Sequence, residues 1–173
     1  MTPDPTYNKK LFEEIITTFQ DIPRPKFHLR YDPCEDEAEE RLSELMNKTW
    51  LDIARDPKYL SMYHSTDDFT YMTDECFLYF FPGYLLCILE HKPVFVEPLA
   101  GHILMFLAPT EQSADEVKQR ARFLLENLTD SQKAAVAHWL QLQLERERHP
   151  LIYETDPFEA KYQTACKEWR KWA

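Results

Sequence analysis

Thirteen consecutive uncharged residues, Phe77 to Leu89, carry a Pro82-Gly83 pair near their centre and follow an acidic stretch holding Asp67, Asp68, Asp74 and Glu75. A run this apolar has to be buried, because leaving it in water forfeits about 25 cal/mol for every Å² of apolar surface. It falls well short of the roughly 20 residues that span a bilayer, so it reads as the centre of a helical core with an acidic lip. Thr73, followed by Asp74 and Glu75, has the chemistry of an N-cap with acids in the first turn. Pro82 either kinks the resulting helix or opens the next one at its first position.

Glycine use then selects the fold class. The 173 residues include only two glycines, Gly83 and Gly101, against 12 prolines. Hairpins and bulges draw repeatedly on glycine for positive φ, so a chain this poor in it favours helices joined by stiff connectors. The expectation is all-α, one domain over residues 1–173 with about seven to nine helices, a tail at 1–6 and a proline-rich connector at 21–34. Phe12, Ile15, Ile16 and Phe19 recur at helical spacing and predict a helix over 6–20. Further helices are expected from Glu35, over 49–55, after Asp56-Pro57, over 96–107, and after the capping-box patterns Ser113-x-x-Glu116 and Thr129-x-x-Gln132. A last helix begins at Asp156-Pro157 and places Phe158, Tyr162, Ala165, Trp169 and Trp172 on one face, either as core or as a surface for homo-oligomer formation.

The net charge of −10 is local. Residues 35–75 hold twelve acids against Arg41, Lys48, Arg55 and Lys58, or −8 of the total. Such a field repels nucleic acid and anionic lipid and favours a basic protein partner. Glu35, Asp36, Glu37, Glu39 and Glu40 form the densest cluster, read either as a solvated helix start or as an electrostatic docking surface. Asp67 and Asp68 extend the acidic surface, and aromatic residues crowd the same region, with Trp50, Tyr59 and Tyr63 as candidate anchors. The N-terminal MTPDPTYNKK lacks the apolar stretch of a secretory signal, so a cytoplasmic protein is expected, with no membrane and no nucleic-acid partner.

Catalytic signatures are scarce. Phosphate cradles and nucleophile elbows need clustered glycines, which two isolated ones do not supply. The six histidines form neither HExxH nor a Glu-x-x-His pair. The enzymatic alternative is a metal-assisted hydrolase using His64, Asp67, Asp68 and Asp74; otherwise no cofactor is expected. Cys34, Cys76, Cys87 and Cys166 are widely spaced and read as free thiols, with Cys76 and Cys87 on one face if the helix runs unbroken through Pro82.

Lys48-Thr49-Trp50, the segment Met72 to Leu86, Ile22-Pro23 and Leu128 to Gln132 together resemble a family of small bacterial proteins classed as a domain of unknown function. The resemblance covers most of the chain, implies no activity and carries over no catalytic residue. Gly83 stands where that pattern leads one to expect alanine. The reading of the whole is an intracellular protein-binding module, in its sharpest form an immunity or inhibitor protein that engages a basic partner through the acidic surface, with the hydrolase or a self-associating structural subunit as alternatives.

Overall fold

A computed structural model describes residues 5–26, 43–56, 69, 71–90, 93–147 and 157–171. The fold is all-α, as glycine scarcity and helical periodicity imply. Seven helices have both ends among the described residues: α1 (Pro5–Phe19), α2 (Trp50–Arg55), α3 (Asp74–Glu90), α4 (Pro93–Leu107), α5 (Asp115–Asn127), α6 (Asp130–Glu147) and α7 (Pro157–Trp169). The chain groups into two compact units. Residues 21–102 form a middle unit, and residues 1–20 with 103–173 form a terminal unit built from the two ends of the sequence.

The middle unit is organised by α3. Thr73 caps it, its hydroxyl accepting from the Cys76 N–H at 3.3 Å. Acids at Asp74 and Glu75 then face the positive end of the helix dipole. The helix does not restart at Pro82 but runs through it to Glu90. Pro82 lacks the N–H that would reach the carbonyl of Leu78, and Leu78 is the one residue between 76 and 89 that is not buried. Phe77, Phe80, Tyr84, Leu85 and Ile88, the residues expected at the centre of the core, are all 0% exposed. Burial on almost every side replaces the amphipathic pattern of a surface helix.

Gly83, which looks like a local weakness in sequence, is where α2 crosses α3. A β-carbon built there would collide with the carbonyl oxygen of Trp50 and stand 3.0 Å from Ile53 Cβ. The backbone of α2 therefore approaches more closely than any side chain at 83 permits.

The terminal unit is more conventional. α6 packs against α1 on one side and α7 on another. At its start the capping box is complete: Thr129 N donates to Gln132 Oε1 at 3.0 Å, and Gln132 N donates to Thr129 Oγ1 at 3.3 Å. The matching pattern at Ser113 does not form. Ala114 occupies the N-cap of α5 without a side-chain bond, while Ser113 Oγ accepts from Thr110 N at 2.8 Å in the preceding turn. A local turn has taken the hydroxyl that the pattern assigned to the helix. In α7, Tyr162, Ala165 and Trp169 are buried, and Trp169 Nε1 donates to the Leu107 carbonyl at 2.9 Å. Tyr162, Ala165 and Trp169 of the C-terminal aromatic stripe are thus core; Trp172 lies outside the described residues.

Boundaries moved slightly. α1 begins at Pro5, inside the expected tail, and α4 begins three residues before the expected 96. Proline in the first turn needs no N–H donor, which suits both starts.

Candidate functional site

The acidic surface proposed from sequence belongs wholly to the middle unit, whose residues 21–102 hold sixteen Asp and Glu against eight Lys and Arg, whereas the terminal unit holds fourteen against twelve. Glu35, Asp36, Glu37, Glu39, Glu40, Tyr59, Tyr63, His64, Asp67 and Asp68 lie outside the described residues. Of the docking residues read from sequence, Trp50 alone is described.

Trp50 is 5% exposed and is part of the core, not an exposed anchor. The reason is the local chemistry of Lys48-Thr49-Trp50. Thr49 takes an extended conformation (φ −93°, ψ 164°) and caps α2. Asp52 Oδ2 accepts from Thr49 N at 2.7 Å and from Thr49 Oγ1 at 2.8 Å, while Asp52 N donates to Thr49 Oγ1 at 3.3 Å. This reciprocal box turns the chain so that the first residue of the helix, Trp50, points inward and sets its carbonyl against Gly83. The hydrogen bonds from the Thr49 backbone and hydroxyl hold the Asp52 carboxyl below the ordinary aspartate value; burial opposes them, and the charges of Lys48 and Arg55 add smaller contributions in the lowering direction. One of the twelve acids is therefore committed to holding α2.

The aromatic concentration has the same outcome. Phe69 is 3% exposed and meets Phe77 edge-on with ring centroids 5.2 Å apart, and Tyr84 at 4.8 Å. Tyr79 and Phe80 make a further edge-to-face pair at 5.0 Å. Such pairs contribute about 0.5–1.5 kcal/mol beyond the area they bury. The aromatic side chains of the 69–84 segment are thus mainly interior packing. Of the other acids between residues 35 and 75, the described ones are Glu44 and Glu75, both exposed, and Asp56 and Asp74, both half-buried; elsewhere in the middle unit Asp21 and Glu90 are exposed.

The described thiols lack the setting of a nucleophile. Cys76, Cys87 and Cys166 are buried and form no disulfide among the described residues. Burial first, then the neighbouring charges of Glu90 and Asp56, push the Cys87 thiol up to about 12, and its sulfur lies 4.0 Å from the Asp56 carbonyl. Among the described residues no three His, Cys, Asp or Glu side chains are grouped so as to hold a metal ion. Asp74 sits at the start of α3; the other three members of the suggested His64, Asp67, Asp68 and Asp74 set lie outside the described residues.

Two structural features of the backbone went unread in the sequence. The Thr49 capping box was hidden because aspartate, not glutamate or glutamine, fills its third position. The Gly83 crossing was hidden because its cause lies 33 residues away at Trp50.

No described helix is long and apolar enough to cross a membrane. Neither the curated proteins nor the solved structures contain a match to the chain. It belongs to the family of unknown function DUF6714, whose model matches residues 8–169.

Proposed function

We propose that this chain is a protein-binding module whose middle unit engages a basic protein. The observation that carries the reading is the unequal division of charge, −8 in the middle unit and −2 in the terminal unit, although the two are similar in size. A field concentrated on one unit steers a cationic partner to it and acts mainly on the association rate. The sharper form is an immunity or inhibitor protein of a bacterial cytoplasm, covering the cationic face of a toxin or enzyme. Lys48-Thr49-Trp50 and the segment Met72 to Leu86 are, in this reading, the signature of the family because they build the α2–α3 crossing.

The test is kinetic. Once a partner is in hand, Glu37, Glu39 and Glu40 are changed together to lysine and association is followed from low to moderate salt. The variant is expected to bind about tenfold more slowly at low salt and lose most of its salt dependence, with folding checked by circular dichroism. An unchanged rate and salt response would remove the acidic cluster from the interface. Calorimetric titration with zinc or magnesium addresses the hydrolase alternative directly, since saturable binding abolished by Asp67→Asn and Asp68→Asn would favour it.

A further inference from the structure

We infer that α1 and α6 hold an ordered water molecule between Asn8 and Gln143, forming a polar layer that fixes the register of the N-terminal helix. Two contacts define how the helices run. Gln132 Nε2 donates to the Thr18 carbonyl at 3.1 Å, and His138 Nδ1 lies 2.9 Å from Glu14 Oε1. Position increases along α6 as it decreases along α1, so the pair is antiparallel. Five residues on from His138 lies Gln143, and six residues back from Glu14 lies Asn8. At 1.5 Å per residue these are displacements of about 7.5 and about 9 Å, which bring the two amides to the same level.

Their faces agree as well. Gln143 follows Gln132 by eleven residues, three helical turns, and so shares the side of α6 that reaches α1. Asn8 precedes Leu11, Ile15 and Phe19 by three, seven and eleven residues and continues the stripe that α1 buries.

Both amides carry an unsatisfied buried atom, and the two atoms are complementary: Asn8 Oδ1 is an acceptor and Gln143 Nε2 a donor. Gln143 is 3% exposed. A buried amide atom without a partner is costly enough that native chains almost always supply one. Water meets both needs, donating to Asn8 Oδ1 and accepting from Gln143 Nε2. A slip of α1 by one turn would set Asn8 against the level of Trp139 and Leu140, both 0% exposed, where neither side chain offers it an amide. The layer therefore penalises the wrong register, as a single polar position does in helix bundles.

A double-mutant cycle on the full chain tests this, with Asn8→Leu, Gln143→Leu and the double variant compared by chemical unfolding. Each single change strands the other amide, and the double change removes both. The expected coupling is about tenfold in the unfolding equilibrium constant, and a coupling under about twofold overturns the proposal. If a single variant fails to fold, the unmodified chain still decides: a high-resolution crystal structure is expected to show water within about 3.2 Å of both atoms. A direct amide–amide hydrogen bond at that level, or a dry gap, overturns it.

Discussion

In the middle unit α3 is buried on nearly every side and meets α2 through backbone at Gly83, whereas in the terminal unit α6 keeps exposed positions such as His138 and Glu145 and is tied to its neighbours by side-chain hydrogen bonds. The first arrangement depends on shape and the second on polar pairing. The acid excess lies with the unit whose described core is the more apolar: the buried polar residues Arg120, Gln132 and Gln143 all belong to the terminal unit. In the terminal unit charged groups also join the internal packing: Arg120 is 2% exposed and lies 5.4 Å from the centroid of the Phe106 ring.

If the middle unit depends on shape, its largest sensitivity is to lost volume. Phe80→Ala is expected to cost about 3–5 kcal/mol in chemical unfolding, from lost burial plus the cavity left behind. A loss under about 1 kcal/mol would mean that α3 is not the organising helix. Gly83→Ala opposes two effects. Alanine gains about 1 kcal/mol of helix propensity, but its β-carbon must displace the Trp50 backbone, and overpacking of this kind costs about 1–3 kcal/mol. Because the obstructing atom is backbone and not the end of a movable side chain, net destabilisation is expected; a variant as stable as the parent would show that the α2–α3 approach is looser.

Capping gives a smaller and more selective contrast. Thr129→Ala and Thr49→Ala should each cost about 1 kcal/mol, because both hydroxyls accept a backbone N–H at a helix start. Ser113→Ala should cost less at α5, whose N-cap is Ala114. Equal losses at all three sites would restore the cap that the Ser113 pattern suggested.

These cases show what the sequence made legible. Thr73 and Thr129 were readable because their capping partners are three residues away. Ser113 was misleading because Thr110 competes for the same hydroxyl within the preceding turn. The continuity of α3 through Pro82 depends on the packing around it, and the need for glycine at 83 depends on Trp50; neither is a local property. The aromatic residues of the acidic region were visible as a group, but composition does not distinguish interface anchors from interior packing, and Trp50, Phe69, Phe77 and Tyr84 are interior. The acidic cluster at 35–40 was legible as charge alone.

Asp52 supplies the finest test. Its folded-state value lies below the unfolded one, so its contribution is present above the ordinary carboxylate value of 3.8 and is lost as pH falls below that through the lowered folded value. Asp52→Asn should therefore destabilise the chain near neutral pH and flatten part of the decline in stability below about pH 4. Parallel curves for parent and variant would show that the Thr49 hydrogen bonds do not favour the ionised form.

The division of charge between the units is most directly tested by matched reversals. One variant carries Glu37, Glu39 and Glu40 changed to lysine in the middle unit; the other carries Glu111, Glu116 and Glu126, all exposed, changed to lysine in the terminal unit. The net charge is the same in both. Association rates with the partner, measured across ionic strength, should fall about tenfold at low salt and lose their salt dependence only for the middle-unit variant. Equal slowing by both variants, or by neither, would contradict the assignment of partner binding to the acidic middle unit.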